Sequence, residues 1–153
     1  MLRDKINDAV KAAMKSQDKP RVSTLRLVNA AIKNADIEAE RTGKPALADE
    51  DVLGLMAKMI KQRQESVVLY RQGGRAELAE QEQAEIAIIA DFLPQQLSAE
   101  DSNAAIAAAI QETGANGMKD MGKVMAVLKE RHAGRMDFGK ASAAVKAQLS
   151  GTA

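Results

Sequence analysis

Cysteine and tryptophan are absent from this 153-residue chain, and only three aromatic residues and one histidine occur. Without cysteine there is no thiolate nucleophile, no disulfide and no cysteine-ligated zinc. A single histidine, His132, makes neither a catalytic triad nor an ordinary zinc site. So few aromatic rings provide no stacking platform for splayed bases, which argues against sequence-specific binding of single strands. We therefore expect no cofactor and no metal ion.

Long apolar runs are also missing. No segment approaches the length that spans a membrane, and the start of the chain alternates charged and apolar residues instead of resembling a signal peptide. We therefore expect a cytoplasmic protein without membrane contact. Alanine, leucine, glutamate, lysine and glutamine dominate, and no window alternates apolar and polar residues as a strand does. The sequence predicts an all-α fold of six or seven helices.

Breaks in the helical pattern divide the chain into two predicted domains. Glycine and proline interrupt it at residues 43–45, at Gly73-Gly74 and at Pro94. Beyond Pro94, Ser98 begins a helix with a capping signal, and the helical segments become shorter. We predict an N-terminal helical domain, residues 1–94, built as a hairpin bundle of about four helices, and a C-terminal three-helix tail domain, residues 95–153.

The second predicted helix, from about residue 20 to 42, has apolar residues such as Leu27 and Ile37 on most sides, so we expect it to be central and largely buried. Its polar residues form one stripe at three- and four-residue spacing: Arg26, Asn29, Lys33, Asp36 and Glu40. Two interpretations are open. In the first, Arg26 and Lys33 bind phosphates; in the second, the stripe is an exposed edge on which Lys33 pairs with Asp36.

Two carboxylates, Glu82 and Glu85, share a predicted helical face with apolar residues, where an uncompensated charge would be costly. On the preceding helix, Arg63 lies in the middle of an apolar stripe. Folding the chain back at Gly73-Gly74 places position 85 roughly opposite position 63. We predict a structural ion pair between Arg63 and Glu85 with Glu82 nearby, the alternative being an acid/base or metal site at the two glutamates.

The segment from Gly117 to Val124 has the glycine and lysine spacing of a phosphate-binding loop. The nucleotide-binding interpretation is rejected, because Val124 replaces the magnesium-binding hydroxyl residue and an alanine-rich helix, not a strand, comes before. We expect Gly122 to let two helices approach closely. His132 is predicted in the last turn of a helix, where the dipole favours a positive charge.

Charge is distributed unevenly. Residues 1–33 carry eight Lys/Arg against three Asp/Glu, residues 34–113 carry seven against fifteen, and residues 114–153 carry seven against three. Both ends are therefore basic and the middle is acidic. This pattern permits a polyanion to contact the terminal segments, although solvated helix faces produce similar patterns.

Several strings resemble the YqeY family, in order along almost the whole chain. They are RVSTLRL from Arg21, AAIKN from Ala30, KQRQES from Lys61, FLP from Phe92, QLS from Gln96, MGKVM from Met121 and GR from Gly134. That family is similar to the C-terminal helical and tail region of GatB, a subunit of the tRNA-dependent amidotransferase. The resemblance implies a module that binds tRNA, and it carries over no catalytic residue.

If the tail region binds tRNA, the candidate phosphate contacts are Lys119, Lys123 and Arg135, followed by Lys140 and Lys146. The leading hypothesis is a stand-alone, non-catalytic module that binds tRNA or a tRNA-handling protein. A family label would make it a glutamine-dependent carbon–nitrogen ligase, but neither an ammonia-generating nucleophile nor an ATP site is recognisable. A protein-interaction adaptor that uses the polar stripe, and an acid/base enzyme that uses the two glutamates, are the alternatives.

Overall fold

The computed structural model describes residues 1–150, which contain seven α-helices, one 3-10 helix and no strand. The α-helices are α1 (Leu2–Lys15), α2 (Lys19–Arg41), α3 (Asp49–Gln72), α4 (Ala76–Ala90), α5 (Ala99–Thr113), α6 (Met121–His132) and α7 (Phe138–Leu149). The 3-10 helix, Met118–Asp120, directly precedes α6. The prediction of an all-α fold is confirmed. By their internal contacts these residues form two compact units, Met1–Leu93 and the residues from Pro94 onward.

The first unit contains α1 to α4 around one apolar core. Each helix buries at least one large side chain completely, namely Ile6, Val28, Met56 and Ile89. Burying apolar surface of this kind is the main favourable term in folding, at about 25 cal/mol per Å². The core therefore fixes the four helices against one another, and the polar groups described below lie at its margin.

The expectation that α2 is buried on most sides is wrong. Its completely or nearly buried residues all lie along one stripe, which includes Leu25, Val28 and Ile32. Leu27 and Ile37, by contrast, are 48% and 53% exposed. The three other helices of the unit cover only one side of α2, so the apolar residues on its other side remain in water.

The second unit contains α5, α6 and α7 around a separate apolar core. Ile106, Val124, Leu128 and Val145 are its most deeply buried large side chains. Met136, in the turn before α7, is also buried in this core. None of the described helices is both long and apolar enough to cross a membrane.

The end of α1 adopts a backbone conformation that usually requires glycine. Gln17 has a φ of +58° and is the one non-glycine residue with positive φ among residues 1–150. The N–H groups of Gln17 and Asp18 donate back to carbonyls in the last turn of α1, which is the Schellman pattern of helix ending. At the ends of α2 and α3, Gly43 and Gly74 occupy the corresponding position. Gln17 therefore has a higher conformational energy at the end of α1 than a glycine would have there.

Candidate nucleic-acid interface

Arg63 and the two glutamates meet between α3 and α4. The Nε atom of Arg63 donates to Oε2 of Glu85 at 3.0 Å and lies 4.0 Å from Oε2 of Glu82. A second guanidinium nitrogen donates to the Met59 carbonyl at 3.2 Å. The Arg63 side chain is only 15% exposed, so its charge is partly desolvated and needs these partners. The arrangement joins two antiparallel helices at a fixed register.

The geometry gives these glutamates a structural use. Oε2 of Glu85 accepts a hydrogen bond from Arg63, which compensates the charges of both side chains at the margin of the apolar core. Among residues 1–150 there is no group of three or more His, Cys, Asp or Glu side chains placed to hold a metal ion.

The polar stripe on α2 is divided among different partners. Asp36 accepts hydrogen bonds from both terminal nitrogens of Arg3 at 2.7 Å, and from the Leu47 N–H at 2.9 Å. These bonds hold the pKa of Asp36 well below its usual value, at about 2, with the Arg3 hydrogen bond as the largest cause. The predicted pairing of Lys33 with Asp36 is therefore wrong, because Arg3 on α1 occupies the carboxylate. Lys33 itself is exposed.

Sequence patterns did not predict the Arg3 contact, although a signal existed. Arg3 lies between Leu2 and the buried Ile6 on the same helix, so its side chain leaves α1 next to the core. Its Nη2 atom donates to the Leu47 carbonyl as well, at 2.9 Å. The hydrogen bonds among Arg3, Asp36 and Leu47 therefore connect α1, α2 and the loop before α3.

Three polar residues of the stripe remain, Asn29, Arg26 and Glu40, of which Glu40 is exposed. Asn29 donates to Oδ1 of Asn7 on α1 at 3.1 Å. Arg26 is exposed, and its one side-chain hydrogen bond to a residue in the range 1–150 is a weak one of 3.8 Å to the Met14 sulfur. The two residues of α2 that were predicted to bind phosphate, Arg26 and Lys33, are therefore both accessible. They do not contact each other.

Lys119 lies in the 3-10 helix and Lys123 in the first turn of α6, on either side of Asp120. The nitrogen of Lys123 is 3.7 Å from an Asp120 oxygen, yet the Lys123 side chain is 72% exposed. Asp120 also accepts a hydrogen bond from the Asn116 N–H, and that bond, with the charges of the two lysines, holds its pKa below the usual value against the opposing effect of burial. Both lysines are accessible to a phosphate, and both lie beside a competing carboxylate.

Arg135 is half-buried and takes part in the local backbone structure. Its Nε atom donates to the Gln95 carbonyl at 2.8 Å, and its own carbonyl accepts from the Leu97 N–H at 2.9 Å. The Gln96 side chain donates to the Gly134 carbonyl beside it. Arg135 therefore holds the segment before α5, a role that its place in the sequence did not indicate.

The other two candidates, Lys140 and Lys146, are exposed on α7. Asp137 precedes this helix and accepts hydrogen bonds from the N–H groups of Gly139 and Lys140, which starts the helix in the usual way. These two lysines are six residues apart, so they do not share one face of α7. No contact brings them to Lys119 or Lys123.

Two smaller expectations about α6 are wrong. A methyl group added at Gly122 would meet nothing within 4 Å, so this glycine does not allow a close helix approach. His132 ends α6 as predicted, but burial and then the charges of Arg135 and Arg131 lower its pKa. Its Nδ1 atom is buried without a hydrogen-bond partner among residues 1–150. The positive charge expected at this helix end is therefore disfavoured, with burial of the imidazole as the largest cause.

Comparison with known proteins decides the family. The family model described as Yqey-like protein matches residues 3–149. The chain belongs to the YqeY family. The resemblance seen in the sequence is confirmed, and this YqeY chain is similar over 98 residues, with 34% identity, to an uncharacterized protein of Schizosaccharomyces pombe. That match covers 64% of this chain and 73% of the fungal protein.

Further relatives carry the name "Altered inheritance of mitochondria protein 41, mitochondrial". The protein of Pyrenophora tritici-repentis is 34% identical over 83 residues, and that of Lachancea thermotolerans is 35% identical over 86 residues. These matches cover 54% and 56% of this chain and 44% of either relative, so the similarity spans less than half of the mitochondrial proteins. The prediction of a cytoplasmic location is contradicted by these names and was wrong: the lack of a recognisable signal peptide does not determine the compartment.

Proposed function

We propose that this YqeY protein is a non-catalytic helical module that binds tRNA, or a tRNA-handling enzyme of the amidotransferase type, through exposed lysines of the second unit. The observation that carries the proposal is the accessibility of Lys119, Lys123, Lys140 and Lys146, which lie in a segment with a basic excess. Exposed lysines bind phosphate without reading bases, and the chain is poor in the aromatic rings that base readout uses. The similarity to the GatB tail region supports the same class of ligand.

The division of the chain supports a second part of the proposal. We infer that the two units are independent domains, a four-helix N-terminal domain and a three-helix tail, because each has its own apolar core. The tail would then supply the RNA contacts. The first unit would serve as a scaffold and a second contact surface.

A tRNA titration tests this proposal. Purified protein is titrated with bulk tRNA at two salt concentrations, beside a variant with Lys119, Lys123, Lys140 and Lys146 changed to alanine. Each lost phosphate contact is expected to lower the slope of log affinity against log salt by roughly 0.7 to 0.9. Arg135 is left unchanged, because its loss would also release the segment before α5.

The control changes two exposed lysines of the first unit, Lys44 and Lys58, to alanine, and its match in charge is a variant in which only Lys119 and Lys123 are changed. The control is expected to bind tRNA almost as the unchanged protein does, since Lys44 and Lys58 lie in the acidic middle of the chain. If the protein does not bind tRNA at low salt, RNA binding as a stand-alone activity is excluded. If the control weakens binding as much as its matched tail variant, the contacts do not belong to the tail.

The two alternatives receive less support. An adaptor that uses the whole polar stripe of α2 would need all five residues to be accessible, whereas Asp36 and Asn29 bind α1 and only Arg26, Lys33 and Glu40 are exposed. An acid/base enzyme would need a free carboxylate at Glu82 or Glu85. Glu85→Gln tests the structural interpretation of this glutamate. If the Arg63 pair is structural, the variant has a lower free energy of unfolding in urea denaturation.

A further inference from the structure

A surface groove on the first unit has an apolar lining that RNA binding does not explain. It lies where α1 ends and α2 begins and has a volume of about 620 Å³. Its lining residues are Met14, Gln17, Lys19, Val22, Ser23, Arg26 and Leu27. Apolar side chains form its floor, and two cations lie among them.

The apolar part of the groove is unusually exposed. Met14 and Leu27, which lie on different helices, are 52% and 48% accessible to water. Isolated apolar residues on a surface are common, but two large ones lining one concave surface mark an interaction site. Methionine is suited to such a site, because its flexible side chain adapts to different partners.

The charged part of the groove has one sign. Lys19 and Arg26 line it, and neither forms an ion pair with another residue of the described range 1–150. Between residues 11 and 26 there are five Lys/Arg and one Asp, Asp18, which caps α2 by accepting from the Arg21 N–H. The groove therefore offers an apolar floor within a positive field.

The strained residue at the end of α1 is part of the groove lining. Gln17 lines the groove in a left-handed conformation, where glycine would be less strained. Backbone strain of this kind is concentrated at functional sites. The glutamine places an amide group, with two donors and an acceptor, at the wall of the groove.

We propose that this groove binds an amphipathic helix of another protein, whose apolar face packs on Met14, Val22 and Leu27 and whose flanking Asp and Glu residues meet Lys19 and Arg26. The charge complementarity selects an acidic helix. The apolar floor disfavours a nucleic acid, since phosphate binding needs no exposed methionine or leucine. A helix placed in a groove through residues spaced three and four apart is a common form of peptide recognition.

The test uses designed peptides of about 15 residues, long enough for a few helical turns. The first has leucine on one helical face and glutamate on the other. The second replaces each glutamate with lysine, and the third keeps the glutamates but replaces the leucines with serine. Binding of labelled peptide to the full chain is followed by fluorescence anisotropy, and only the leucine–glutamate peptide is expected to bind.

Variants of the protein locate the binding site. Leu27→Asp is expected to weaken binding of the leucine–glutamate peptide by about tenfold or more, which equals about 1.4 kcal/mol. Lys19→Glu with Arg26→Glu is expected to reverse the preference toward the leucine–lysine peptide. Ile37→Asp is the matched control, because Ile37 is 53% exposed on the same helix but does not line the groove. Met14→Gln provides a milder test should Leu27→Asp fold poorly.

Several results would overturn the proposal. They are failure of the leucine–glutamate peptide to bind, equal binding of the three peptides, and equal loss in Leu27→Asp and Ile37→Asp. If tRNA binding is lost in Leu27→Asp, the groove belongs to the RNA interface. If the protein is a dimer that Leu27→Asp dissociates, a second copy of the chain occupies the groove. The tRNA titration with tail variants has an independent outcome, so failure of one proposal does not decide the other.

Discussion

Arg63 on α3 donates to Glu85 on α4 across 3.0 Å, close to equidistant in sequence from the glycine turn that joins the two helices. Both side chains are mostly removed from water, at 15% and 20% exposure. Removing one member leaves the other charge without its strongest partner, and that cost exceeds the net value of the pair.

Arg63→Met is therefore expected to lower the free energy of unfolding by about 1–3 kcal/mol. Arg63→Met combined with Glu85→Leu is expected to regain most of the loss, because two apolar side chains pack where the pair was. Urea denaturation of the two variants beside the unchanged protein measures both effects. A double variant less stable than Arg63→Met would show that Glu85 has another essential partner.

The Arg3–Asp36 pair makes stability depend on acid pH. The pKa of Asp36 is about 2 in the folded protein and 3.8 for an unperturbed carboxyl, so the unfolded chain takes up the proton first as the pH falls. Stability from this group is thus complete above about pH 5 and is lost as the pH falls from about 4 toward 2. Urea denaturation across this range is expected to show a smaller decline for Asp36→Asn, which is also less stable at pH 7. Asp8→Asn, at an exposed carboxylate on α1, is the control, and an unchanged pH profile in Asp36→Asn would contradict the pairing.

Gln17→Gly distinguishes the effect of backbone strain on stability from the effect of the Gln17 amide on peptide binding. Glycine removes the steric cost of a left-handed residue, so the variant is expected to be about 1 kcal/mol more stable in thermal or urea unfolding. The same variant is expected to bind the leucine–glutamate peptide less tightly, because the amide group is lost from the groove. Higher stability with unchanged peptide binding would show that Gln17 contributes only strain.

Asp120→Asn tests whether Lys119 and Lys123 contact RNA. The carboxylate lies beside both lysines and repels phosphate, whereas an asparagine oxygen still accepts from the Asn116 N–H. The variant is expected to bind tRNA a few times more tightly, most clearly at low salt, where charges are least screened. Unchanged or weaker binding would place the RNA contacts elsewhere.

The sequence was sufficient for elements fixed by local rules. Helix ends follow from nearby caps, such as Ser98, whose hydroxyl accepts from the Asp101 N–H at 3.0 Å. The meeting of Arg63 and Glu85 follows from counting residues on either side of a tight turn. Such features depend on the chain within about twenty residues, where helix geometry leaves few choices.

Features that depend on packing between distant segments could not be predicted in this way. The partner of Asp36 is 33 positions away on α1, and only the packing of α1 against α2 selects Arg3 over Lys33. The exposure of Leu27 and Ile37 follows likewise from how many helices surround α2, which hydrophobic periodicity does not specify. The groove depends on both effects, because it forms where α1 ends beside the uncovered side of α2.

Leu47, in the loop before α3, is bonded to both members of the Arg3–Asp36 pair. Its backbone N–H donates to the Asp36 carboxylate, and its backbone carbonyl accepts from Arg3. This amide should exchange its hydrogen with solvent more slowly than those of loop neighbours that donate to water. Its exchange rate would therefore report whether the pair between α1 and α2 is closed, at single-residue resolution and without altering either charged residue.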